Sequence, residues 1–211
     1  VDHSLNEAQR LAKVEADLNI RSSYFVQLSS SYYNIFSEAS IESLRQIRDM
    51  GHEIGLHYDT RRYVSSETGN SEEKLRFDKK ILENIIGKTI ESASQHIPID
   101  SATIDIKQVF KNDAYDPLFC KTRTIYISDS CCQWRDSHPA ELIQQQKSFQ
   151  LLLHPLWWTL EGRNFRDKLL LLCKKENKIT ESRFSSTIKY YNDCLVNREE
   201  LDRRFKSKEC F

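Results

Sequence analysis

Glycine is scarce in this chain, at 5 of 211 residues. Loops that cradle phosphate need several closely spaced glycines. Neither G-x-G-x-x-G nor G-x-x-x-x-G-K-[ST] occurs, which excludes nucleotide binding by those routes. An excess of one charge is also missing: 31 Lys+Arg balance 31 Asp+Glu. Nucleic acid held through its phosphates would call for a basic excess, and a polybasic membrane patch or acidic tail for a charge run. No apolar run approaches the ~18 residues of a bilayer span, and no signal peptide is visible. The six cysteines, at 120, 131, 132, 173, 194 and 210, contain no C-x-x-C, so a zinc ribbon or thioredoxin-type motif is not expected. Cys131 and Cys132 are neighbours, and neighbours seldom bridge each other. Free thiols in a reducing compartment, the cytoplasm, are the simplest reading.

Aromatic residues are plentiful: three Trp, nine Tyr and ten Phe. They exclude a disordered chain, and the length suffices for a sizeable core. Ser4-Leu-Asn-Glu7 reads as a capping box opening a helix that carries Ala8, Leu11, Ala12 and Leu18. Arg21 to Leu28 reads as a strand, Ser40 to Met50 as a helix stopped by Gly51, and His52 to His57 as a strand. A helix from Ser71 to Ile86 follows, ended by Gly87, then a strand from Ile90 to His96 and a short helix from Thr103 to Phe110. Thr124 to Ser128 is a strand, Pro139 to Lys147 a helix, and Phe149 to His154 a strand stopped by Pro155. From about Asn164 to Phe211 the pattern is helical and charged, with a break expected between Lys174 and Lys178. Residues 1–160 read as one α/β domain and 161–211 as its helical C-terminal extension. Strands alternating with helices imply a parallel sheet with helical crossovers, either open or closed into a barrel.

Polar residues able to bind a ligand recur at one kind of place. Asp2 and His3 precede the first helix; His57, His96, Asp129 and His154 each fall at a strand's C-terminal end. Active sites of α/β barrels and open α/β sheets form at that edge. One carboxylate with several imidazoles converging there suits a divalent metal, zinc above all. Such a metal would activate a water, and a remaining His would serve as general acid. Each residue also has a plainer reading. Asp2 suits a helix N-terminus, His3 can cap or pack, and Asp129 and Arg135 can form a loop ion pair. Tryptophan more often packs than stacks on a ligand. His52 is expected to be structural, its side chain on the face opposite His57, and His138 to lie at the surface.

Four blocks in order carry a resemblance: VDHSLNEAQRLAKVEADLNIRSSYF, GHEIGLHYD, YISDSCCQWR and LLLHPLWW. Together they resemble polysaccharide deacetylases with the NodB homology domain (carbohydrate esterase family 4), nearest the divergent bacterial branch tied to surface-polysaccharide loci. The resemblance implies a distorted (β/α) barrel, with the first strand truncated here, and metal-dependent removal of an acetyl group from a sugar. It implies Asp2 and His57 as metal ligands and His154 as the acid. Asp129 is expected to take part in catalysis, and Tyr58, Trp134, Arg135 and Trp157 to line the sugar site. Tyr58 and Asp59 could support His57 from behind. Three departures from the family pattern stand out. The His-Asp expected before Val1, which would bring the base, is not in this chain. Arg61 occupies the position of the family's second metal His, so His96 is taken to complete the set. Cys131 and Cys132 occupy positions where small, Gly-like residues are expected. The rival reading is a non-catalytic carbohydrate-binding or scaffolding domain on the same barrel.

Overall fold

The computed structural model describes residues 1–64, 71–97, 104–117, 124–134 and 137–188. The chain divides into two compact units, with the boundary between Leu160 and Glu161. The first is a mixed α/β unit. Helix α1 (Leu5–Asp17) begins where the capping box places it, Ser4 accepting a hydrogen bond from the Glu7 N–H at 3.3 Å. Strands β1 (Ser23–Val26), β2 (Glu53–Tyr58), β3 (Ser92–Gln95) and the short β4 (Asn112–Asp113) form one sheet in that order, every pair parallel. Strands β5 (Ile125–Ser128) and β6 (Phe149–Leu152) form a second parallel pair. Parallel neighbours need crossovers. These are α2 (Glu38–Asp49) between β1 and β2, α3 (Arg61–Val64) and α4 (Ser71–Ile86) between β2 and β3, and α5 (Pro139–Gln144) between β5 and β6. Helix α6 (Pro155–Thr159) follows β6 directly.

The core explains why β2 can carry a site on one side. Ile54, Leu56 and Tyr58 alternate onto one face and join Val26, Ala93, Leu44, Ile47, Leu75 and Leu82 in a single buried cluster. Leu44, Ile47, Leu75 and Leu82 are wholly inaccessible, so truncating any of them to Ala is expected to cost about 2–5 kcal/mol. Gly55 and His57 alternate onto the other face. Phe25 and the Ser92 carbonyl lie so close over Gly55 that a Cβ there would sit 2.7–2.8 Å from them.

Three expectations about local structure do not hold. A turn at residues 107–109 stands in place of the expected helix, closed by hydrogen bonds from the Val109 and Phe110 N–H groups to the Ile106 carbonyl. Ile106, Val109 and Phe110 are buried, so packing fixes their spacing without a helix. The second unit contains α7 (Phe165–Thr187), which runs unbroken through the expected break at Lys174–Lys178. That stretch holds no Gly or Pro, and charge alone does not stop a helix. Helix α2 starts ahead of the expected Ser40, because Ser37 is the residue whose hydroxyl caps it, accepting from the Ser40 N–H at 3.2 Å.

Candidate metal centre

The C-terminal ends of the strands bring the expected residues together. Asp2 is held by the loop that follows β1. The Gln27 amide donates to its Oδ1 at 3.2 Å, and the Ser30 hydroxyl to its backbone carbonyl at 3.0 Å. His57 projects from β2 toward it, Nε2 lying 3.2 Å from Asp2 Oδ1. His154, just past β6, approaches from the other side with Nε2 3.6 Å from Asp2 Oδ2. His96, just past β3, stands against His57 with ring centroids 5.1 Å apart and planes nearly perpendicular. Asp2, His57 and His96 each offer a ligand atom within 4.8 Å of the others.

Proton placement decides what this group can hold. The Nδ1 of His57 lies 2.9 Å from the Ser94 carbonyl, its partner in the β2–β3 register, and a carbonyl can only accept. The hydrogen is therefore on Nδ1, and the Nε2 lone pair faces Asp2. Burial pushes the His57 imidazole down from its ordinary pKa, against the pull of Asp2, so it is neutral near pH 7. Burial works against ionisation of Asp2, but a hydrogen bond from the His57 side chain outweighs it and holds the carboxyl below the usual range when no ion is bound. With Nδ1–H committed to the Ser94 carbonyl, the Nε2 of His57 faces the Asp2 carboxylate at 3.2 Å. A divalent cation bound there would take the Nε2 lone pair and the carboxylate oxygen together. His96 stands beside them with its Nδ1 buried and without a hydrogen-bond partner. One oxygen and two imidazoles are a donor set of the kind zinc and its neighbours take, so these residues fit a divalent metal.

His154 is held by a different carboxylate. Asp129 is buried at 2% exposure. Its Oδ1 lies 2.6 Å from His154 Nδ1, its Oδ2 accepts from the His154 backbone N–H at 2.9 Å, and the Trp158 indole N–H donates to Oδ2 at 2.7 Å. As an acceptor for Nδ1–H, the Asp129 carboxylate leaves His154 Nε2 facing Asp2.

The expected sugar-site residues are placed unequally. Trp134 is partly buried, with its ring 5.7 Å from Trp158. Trp157 is buried at 7% exposure with its ring 6.4 Å from that of His3, whereas Trp158 is 51% exposed. Trp158 is therefore the exposed indole at this edge. Tyr58 is 3% exposed and packs in the core on the face opposite His57, so it presents no surface to a ligand. Arg135 lies outside the described residues. Asp59 sits by His96 instead of supporting His57, Oδ2 to Nδ1 3.8 Å. His52 is structural: it accepts from the Ser22 N–H at 3.2 Å and its Nε2 pairs with the Ala12 carbonyl at 2.9 Å. His138 is exposed and caps α5. The supporting roles of Gln27, Ser30 and the Ser94 carbonyl were not expected from the sequence, since no motif marks a backbone acceptor or a lone amide. Cys131 and Cys132 both have φ near +60°, the left-handed region where Gly is usual.

No protein-family model matches this chain, and no curated protein matches it. Among the described residues, no helix is long and apolar enough to cross a membrane.

Proposed function

We propose that the protein is a metal-dependent hydrolase of the polysaccharide deacetylase type that removes acetyl groups from a carbohydrate. The observation that carries this reading is the Asp2 carboxylate facing the Nε2 of His57, with His96 beside them and His154 on the opposite side. Asp2, His57 and His96 would hold the cation, with zinc best suited to the donor set. A divalent cation at that position would supply a water of lowered pKa and polarise the acetyl carbonyl. His154 keeps Nδ1–H on Asp129 and delivers a proton from Nε2 to the leaving nitrogen or oxygen of the sugar. The buried Asp129 carboxylate stabilises the imidazolium that this role requires. Trp158 and Trp134 offer an aromatic face for the sugar ring.

The strand arrangement supports the barrel of this reading. Sheet order follows chain order from β1 to β4 without reversal, whereas a doubly wound sheet reverses at a switch point. Ends of the ladder also approach each other: the Val1 nitrogen meets the Phe25 carbonyl in β1, while Asp2 meets His154 after β6. Between the two sheets the Gln150 amide donates to the Ala114 carbonyl at 2.8 Å.

The test is acetate release from acetylated chitooligosaccharides and from an acetylated bacterial surface glycan, with and without added Zn²⁺. Metal-dependent acetate release by the wild-type protein, lost in His154→Ala, is the expected result. Metal binding without release from any acetylated glycan would favour the carbohydrate-binding rival.

A further inference from the structure

Asp59 and Arg61 carry an arrangement that the metal reading leaves unexplained. The Arg61 guanidinium grips the Asp59 carboxylate at both oxygens, Nε lying 2.9 Å from Oδ1 and 3.1 Å from Oδ2, and Nη2 2.5 Å from Oδ2. The Arg61 backbone N–H donates to the same Oδ1 at 3.0 Å. Such a forked grip fixes the plane and direction of a carboxylate. That direction leads to His96: Asp59 Oδ2 lies 3.8 Å from His96 Nδ1. The same nitrogen is buried and has no hydrogen-bond partner. Approach by ~1 Å would bring the pair into ordinary N–H···O range.

We infer that Asp59 is the orienting acceptor of His96, that Arg61 clamps Asp59 in place, and that the two residues together tune the metal affinity of the Asp2–His57–His96 group. This inference rests on the metal reading above. The logic is that of His57 repeated: His57 spends Nδ1–H on the Ser94 carbonyl, and His96, once drawn into range, would spend its Nδ1–H on Asp59, leaving Nε2 of each for the ion. Arg61 reaches Asp59 from the solvent side, its side chain being 71% exposed. Asp59 is a positioning residue in this arrangement and does not touch the ion.

The experiment is a competition titration of Zn²⁺, and of Co²⁺ read by its visible absorption, against a chelator of known affinity. It uses the wild-type chain and the variants Asp59→Ala, Asp59→Asn, Arg61→Gln and His96→Ala. Asp59→Ala is expected to weaken binding by about 10- to 100-fold. Asp59→Asn should fall between wild type and Asp59→Ala, because an amide oxygen still accepts from Nδ1–H. Arg61→Gln should weaken binding by a smaller factor than Asp59→Ala. Thermal unfolding of the metal-free proteins separates a folding defect from a site defect, and the exposed Arg61 side chain keeps the test usable if Asp59→Ala fails to fold. Wild-type affinity in both Asp59→Ala and Arg61→Gln overturns the inference and leaves the metal reading standing. A larger loss in Asp59→Ala than in His96→Ala makes Asp59 a ligand and also overturns it. A wild-type chain that binds neither ion overturns the metal reading and the inference with it.

Discussion

Asp129→Asn isolates what one buried carboxylate contributes. The side chain keeps its shape, and the change removes a charge and turns one acceptor into a donor. In the wild type the carboxylate serves the His154 backbone N–H at 2.9 and 3.1 Å, the His154 ring at 2.6 Å and the Trp158 indole at 2.7 Å. Hydrogen bonds to a charged group are worth about 1.5–3 kcal/mol each. An Asn oxygen can still serve part of this set, but its NH₂ must face at least one N–H. One charged bond lost, plus one buried donor left facing another, comes to about 2–4 kcal/mol. In a unit of this size 1 kcal/mol corresponds to ~2–4 °C in Tm, so a drop on the order of 5–15 °C is expected. The assay is thermal unfolding by circular dichroism on metal-free protein, paired with acetate release. Loss of the carboxylate also weakens His154 as an acid, a role worth about 10²–10⁴ in rate. A variant that melts within a degree or two of wild type, or that keeps its turnover, would refute the account of Asp129.

Gly55→Ala should destabilise the first unit by about 1–3 kcal/mol in urea denaturation, since the added Cβ would lie 2.7 Å from the Phe25 ring and 2.8 Å from the Ser92 carbonyl; an unchanged midpoint would refute the packing described for β2. Asp113→Asn should raise Tm at pH 7. Burial pushes the Asp113 carboxyl up, so its folded pKa exceeds its unfolded one, and stability is lost as pH rises through that interval. The variant's advantage should therefore shrink as pH is lowered toward 4. An advantage that grows on acidification would reverse the sign of the argument.

Element type was readable where apolar period and punctuation agreed. The Ser4 cap, the helix ended by Gly87 and the strands before His57 and His154 lie close to their expected places. The short pieces were not readable. Strand β4 spans Asn112–Asp113 alone, and α3 and α6 are single turns, too brief to show a period. The expected helix over 103–110 failed because three apolar residues at helical spacing also fit a buried turn. At the site, ligand-capable residues at strand ends were legible as a set, since parallel strands carry them to one edge. Their partners were not. The Ser94 carbonyl has no side-chain signature, Tyr58 and His57 differ only by which face of a strand they occupy, and the grip of Arg61 on Asp59 depends on a turn that no spacing rule specifies.

Metal stoichiometry addresses the central claim most directly. Purified wild-type protein, loaded with Zn²⁺ and dialysed, should retain one metal ion per chain, and His57→Ala should retain none while keeping the wild-type far-ultraviolet circular dichroism spectrum. Equal metal content in the two proteins, or none in the wild type, would contradict the assignment of Asp2, His57 and His96 as a metal centre.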